Sequence, residues 1–102
     1  MNNQFLSFLG LCRRAGKMTI GYDSVIQSVM DNESYLVILA DDISRKTEKS
    51  LIEKLAGNSI DILKIPYDKE TLSQALGKLT GVLAVNDKGF AKKITELIYS
   101  NQ

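Results

Sequence analysis

Apolar residues recur along this chain in two forms, stripes at helical spacing and short unbroken runs. In "QFLSFLGLCRRAG", Phe5, Phe8, Leu9 and Cys12 fall at i, i+3, i+4 and i+7, the stripe of a helix with one buried face. Gly16 marks its stop. "MTI", residues 18–20, is a short strand running into Gly21. After it, Val25, Ile26, Val29 and Met30 predict a helix from about Asp23 to Met30, with all four turned inward. "DNES" is a turn. "YLVILA", residues 35–40, is an apolar run of strand length and suits a central strand covered on both faces. "DDIS" leads into a helix reaching about Ala56, with Leu51, Ile52 and Leu55 inward, and Gly57-Asn58 ends it. "IDILKI" is the next strand. "PYD" breaks it, because Pro66 has no N–H for a ladder and disfavours helix before it. Asp68 caps a helix holding Leu72, Ala75 and Leu76, and Gly77 and Gly81 bracket its exit. "VLAV" is the last strand, and Asp87 caps a final helix with Phe90, Ile94, Leu97 and Ile98 at helical spacing.

Strands alternating with helices predict an α/β layered domain, with helices on both faces of a sheet of about four strands. No repeat, low-complexity segment or Pro/Gly/Ser-rich linker divides residues 1–102, so one domain is expected. In open sheets of this kind ligands sit where strands lead into helices. Three loops qualify: Ile20 to Asp23, Ala40 to Ser44 and Ile65 to Asp68.

Composition narrows the chemistry. The chain has 102 residues, 44% apolar and 25% charged, with a net charge of +1, which is an ordinary globular balance. It contains no histidine, which removes the commonest general base and metal ligand and every Ser-His or Cys-His arrangement. Its one cysteine, Cys12, cannot form an internal disulfide and fits a reducing compartment. No apolar run approaches a membrane span, and the N-terminal charges follow the apolar stretch, the reverse of a signal peptide. A cytoplasmic protein is expected. Cys12 lies on the apolar stripe and reads as a core filler rather than a reactive thiol.

The basic residues cluster: Arg13, Arg14 and Lys17; Arg45, Lys46 and Lys49; Lys88, Lys92 and Lys93. Each group alone is most simply a solvated face. The first two, however, flank the candidate loops. A helix starting at Asp23 adds backbone N–H donors, and Ile65, Pro66 and Tyr67 add an apolar and aromatic surface able to meet an unstacked base. Those are ingredients for RNA with splayed bases, and equally for a generic protein-interaction module. Asp41-Asp42 after the central strand raises Mg²⁺ chemistry, but adjacent residues at a strand end diverge, and helix capping by Asp42 or Ser44 explains them more simply. No phosphate-cradling glycine loop follows a strand. No metal or cofactor is expected.

"LGLCRRAGKMTIGYDSV", "YLVILADDIS" and "ALGKLTGVLAVNDKGFAKKI" resemble the YlxQ type of the kink-turn RNA-binding ribosomal-protein superfamily, over nearly the whole chain from about Phe5 to Ile98. The resemblance implies a three-layer α/β/α sandwich around a four-stranded mixed sheet. It also implies a non-enzymatic protein that binds sharply bent RNA through the turn entering the second helix, the acidic loop after the central strand and an apolar loop placed before the fourth helix. The family pattern of Gly, a variable position, Asn, Glu, two variable positions and Lys falls on Gly21 to Gln27. Only Gly21 is retained; Asp23, Ser24 and Gln27 stand where Asn, Glu and Lys are usual. Ionised Asp only accepts hydrogen bonds and repels phosphate, Ser is too short to reach as Glu does, and Gln lacks the charge of Lys. Asp42 matches the family's loop aspartate.

The RNA-contacting residues so implied are Arg13, Arg14, Lys17, Gly21, Tyr22, Asp23, Ser24, Gln27, Asp42, Arg45, Lys46, Ile65, Pro66 and Tyr67. The expected partner is structured RNA, with ribosome or transcription/translation-factor association, and the protein is expected to be a monomer without membrane contact. Two other readings stay open: a protein-interaction module that keeps the fold after losing RNA readout, and an enzyme using Asp41 and Asp42 with Mg²⁺.

Overall fold

The structure, a computed structural model, describes residues 3–100. Its elements are α1 (Gln4–Arg14), β1 (Met18–Ile20), α2 (Tyr22–Met30), β2 (Leu36–Leu39), α3 (Arg45–Leu55), β3 (Asp61–Lys64), α4 (Lys69–Leu76), β4 (Val82–Val85) and α5 (Lys88–Ser100). The sheet order is β1-β4-β2-β3. β2 and β3 are parallel, joined through α3, while β4 runs antiparallel to both β1 and β2. The sheet is therefore mixed and four-stranded, as expected.

The two central strands, β2 and β4, are buried along their whole length. Their side chains alternate between two cores. Leu36, Ile38, Leu83 and Val85 join Phe5, Leu9, Cys12, Leu72 and Ile94 under α1, α4 and α5. Val37, Leu39, Val82 and Ala84 join Val25, Val29, Leu51 and Leu55 under α2 and α3. This is the period-two consequence of the pleat in strands covered on both faces. α1 packs so tightly on α4 that a Cβ added at Gly10 would stand 3.1 Å from the Ala75 carbonyl oxygen. β3 is an edge strand with Asp61 and Lys64 exposed, and Lys64 pairs with Glu48 of α3 at 3.0 Å. Charge on an edge discourages further strand pairing.

Three inward expectations fail. Met30 and Ile52 are 46% and 47% exposed, because each lies at the rim of the stripe that α2 and α3 press on the sheet. Tyr35, read as part of the central strand, precedes it and is half exposed.

Cys12 is fully buried and its thiol donates to the Lys17 carbonyl at 3.4 Å. Burial, with a smaller push from the Asp87 carboxylate, raises its pKa from 9.0 to about 11. The folded thiol thus keeps its proton to a higher pH than the unfolded one. The stability this contributes is full below about pH 9 and is lost as pH rises toward 11. Wild type should show a steeper fall of Tm over that range than Cys12→Ala. At pH 8 a thiol reagent should label the folded protein only at its unfolding rate.

Candidate nucleic-acid interface

The register of the sheet fixes which loops share an end. Gly21 N–H donates to the Val82 carbonyl and Ala40 N–H to the Gly81 carbonyl, both at 3.0 Å. Asp41 N–H donates to the Tyr67 carbonyl at 3.0 Å. Three helix N-termini, those of α2, α3 and α4, therefore meet at one edge beside the loop that enters β4. A cleft of about 230 Å³ lies among them, lined in part by Tyr22, Ile43, Thr47, Lys69 and Gly81. That is smaller than the roughly 300–1,000 Å³ of small-molecule sites.

The helix ends at this edge are not equivalent. Ser44 accepts from Thr47 N–H at 3.1 Å and caps α3. Asp68 accepts from Thr71 N–H at 2.8 Å and caps α4, and the Thr71 amide and hydroxyl hold its carboxyl below the usual carboxylate range. Asp42 accepts a second α4 amide, that of Lys69, at 3.0 Å. Capping does explain Asp42, but it caps the neighbouring helix rather than its own and ties two loops together. α2 has no side-chain cap: its N-cap position is Gly21, at φ 108° and ψ 150°. The amides of Tyr22, Asp23 and Ser24 are left facing outward, as the first N–H groups of a helix do unless something meets them.

Arg45 and Lys46 occupy the first two positions of α3, and Lys69 the first of α4. Cations are disfavoured at the positive end of a helix by about 0.3–1 kcal/mol each. Three at one edge is a local rule broken in a way that a bound anion would repair.

Several expected site residues are placed elsewhere. Ile65 is 1% exposed and belongs to the core under α1, so it offers no surface to a base. Tyr67 stacks on Phe5 at 5.5 Å and its hydroxyl accepts from Asn3, which leaves Pro66 as the exposed member of that loop. The Tyr22 ring is held against α3, with its hydroxyl 2.5 Å from Ser50 Oγ and Lys54 Nζ 5.1 Å above the ring. Gln27 is exposed but donates to Asp31 at 2.9 Å, one turn away from the edge. Arg13, Arg14 and Lys17 are at the wrong end of the sheet. Lys17 accepts from Asn86 N–H, at the exit of β4, whereas Gly21 lies at its start. Arg13 is further spent on the Leu76 carbonyl at the end of α4.

One residue was missed. Leu79 is 69% exposed, the most exposed large apolar side chain among the described residues. It sits in the loop between α4 and β4, where Thr80 Oγ1 donates to the Val82 carbonyl at 2.7 Å and accepts from its N–H at 3.2 Å. The loop is thereby braced, and it holds an apolar side chain flanked by Lys78 beside the three helix ends. A lone leucine between two glycines carries no periodic signal, so only the fold reveals it. Among the described residues no group of His, Cys, Asp or Glu is placed to hold a metal ion, and no helix is long and apolar enough to cross a membrane.

Residues 4–95 match the family described as "Ribosomal protein L7Ae/L30e/S12e/Gadd45 family". The chain belongs to that family. Among its relatives is the RNA-binding protein YlxQ of Bacillus subtilis, 34% identical over 93% of this chain and 95% of that protein. The YlxQ protein of Enterococcus faecium is 30% identical over 91% and 89%. A solved structure from Bacillus halodurans, of a protein with unknown function, superposes with a TM-score of 0.88 at 32% identity, over 96% of this chain and 99% of that one. Membership of the L7Ae/L30e family confirms the α/β/α sandwich. The uncapped α2 entrance lies within the matched span, and so does the braced Leu79 loop.

Proposed function

We propose that this chain is a non-enzymatic RNA-binding protein that grips a kink-turn, or a similarly bent structured RNA of ribosomal or regulatory origin, at the α2–α3–α4 edge. The observation that carries the reading is the entrance to α2, where Gly21 leaves the first amides uncapped beside Arg45, Lys46 and Lys69. Phosphate or a base edge would meet those N–H groups, and the three cations would neutralise neighbouring phosphates. Leu79 and Pro66 would wedge against a base that the bend unstacks. Asp23 and Ser24 would accept or donate at the rim. Family membership and the RNA-binding role of the YlxQ relatives support the reading. The site has no histidine and no metal cluster among the described residues, and Asp42 is committed to an amide, so Mg²⁺ chemistry has no support here.

The test is binding to a standard kink-turn with a straight RNA duplex as control. A kink-turn preference is expected. Leu79→Ala should lower it by about tenfold while leaving duplex affinity unchanged, since burying a leucine side chain is worth about 1.5–3 kcal/mol. Equal, weak binding of the two RNAs would overturn kink-turn recognition at this edge. Partners that survive nuclease treatment in a pull-down would then favour a protein-interaction role for it.

A further inference from the structure

Two of the three basic groups in the sequence have no place at the α2–α3–α4 edge, and the fold brings them together at the opposite end of the sheet. The Lys17 carbonyl accepts from Asn86 N–H at 2.8 Å, and α5 begins two residues later at Lys88. Lys92 lies one helical turn above Lys88. Arg14 and Lys93 line one groove between α1 and α5, of about 360 Å³. All five side chains are exposed. Among the described residues the single ion pair is Lys64–Glu48, so none of the five is held in an ion pair.

The acidic residues nearby offset only part of this charge. Asp87 accepts from Phe90 N–H at 2.9 Å, capping α5, and its carboxylate remains beside Lys88. Glu96 follows Lys92 and Lys93 by one turn and pairs with neither. Asp31 and Glu33 reach the same end of the sheet from α2, on the other face. Lys88 also stands at the positive end of its helix and repels Lys92 four residues on. A bound anion would relieve both effects.

We infer that this end of the molecule is a second RNA-binding surface, which holds the phosphate backbone of a helix without reading its sequence. Four of its five cations are lysines, which are depleted in protein–protein interfaces and are common phosphate partners. The exposed large apolar residue beside them is Leu11, while Phe8 lines the same groove only half-buried against Phe90, so the surface is cationic more than apolar. The surface lies at the opposite end of β4 from the α2 entrance. Only the identity of the polyanion rests on the RNA-binding reading above.

The experiment measures affinity against salt concentration for a short-armed kink-turn and for a straight RNA duplex. It compares wild type with a Lys17→Gln/Lys88→Gln/Lys92→Gln/Lys93→Gln variant and with Arg45→Gln/Lys46→Gln. Lysine and glutamine have similar helix propensities, and the Lys17→Gln/Lys92→Gln pair repeats the measurement should the fourfold variant fold poorly. The fourfold variant should lower the log–log salt slope on duplex by about 3 and duplex affinity at least tenfold, while keeping its kink-turn preference. Arg45→Gln/Lys46→Gln should do the converse. An unchanged slope in the fourfold variant overturns the second surface, including where the lysines turn out to serve an acidic protein. Lysine-dependent duplex binding without kink-turn preference supports it and overturns the proposed edge site instead. No binding to either RNA overturns both.

Discussion

Gly21→Ala should lower Tm by roughly 5–20 °C and, where the variant is still folded, weaken kink-turn binding by at least tenfold. Gly21 holds φ 108° and ψ 150°, a region essentially closed to residues with a Cβ, which costs about 1–3 kcal/mol to occupy. For a domain of this size each 1 kcal/mol is worth about 4–8 °C. Nothing lies within 4 Å of the added Cβ, so the cost is one of backbone conformation and not of collision. The chain can relieve it by rotating the peptide that donates to the Val82 carbonyl and opens into the α2 amides. Relief of strain and loss of the anion-facing amides are then the same movement. Gly16→Ala is the control, also at positive φ (74°) with open space around it, but at the far end of β1. It should cost stability and leave kink-turn preference intact. Thermal melts and titrations at a temperature where all three proteins are folded separate the two effects. An unshifted Tm for Gly21→Ala would show that the turn tolerates a side chain and would remove the case for a glycine-dependent entrance.

The layering was legible in the residues because it follows from period alone. "LVIL" and "VLAV" are unbroken apolar runs, and such strands must be covered on both faces, which β2 and β4 are. The Gly21 turn was legible for a similarly local reason, as a glycine between a strand and a helical stripe, but the helix was expected to begin at Asp23, whereas it begins at Tyr22 with Gly21 at the N-cap and no capping side chain. The errors share a different cause: they depend on contacts distant in sequence. Ile65-Pro66-Tyr67 reads as a loop, but Ile65 N–H donates to the Leu39 carbonyl and its side chain drops into the core, while Tyr67 finds Phe5 across 62 positions. Arg13 finds the Leu76 carbonyl 63 residues on. The misplacement of Arg14 and Lys17 is more instructive. They precede β1 and Gly21 follows it, and residues on either side of a strand lie at its opposite ends. Chain order therefore already held the answer that these cations cannot flank the α2 entrance.

Gln27→Lys should tighten kink-turn binding by about ten- to a hundredfold, because it restores the cation that the family pattern carries at that position. A well-placed contact of that kind to a base edge is worth about 1–3 kcal/mol. The structure adds an opposing effect that the residues alone did not show. Gln27 donates to Asp31 at 2.9 Å, and a lysine at 27 would pair with the same carboxylate, four residues on. An exposed pair at that spacing is worth about 0.2–0.5 kcal/mol. That competing pair is several times weaker than the gain, so Asp31 should blunt the improvement without cancelling it. Gln27→Lys/Asp31→Asn should bind at most two- to threefold tighter than Gln27→Lys alone. Asp31→Asn by itself frees Gln27 and should change little. Two results would count against the assignment. If Gln27→Lys leaves kink-turn affinity unchanged in both backgrounds, position 27 does not face the RNA. If it tightens straight duplex equally, the lysine adds charge but no readout. The first would turn attention to the α2 amides and Leu79 as the readers. The second would leave Asp23 and Ser24 as the residues whose replacement by Asn and Glu must carry any recovered specificity.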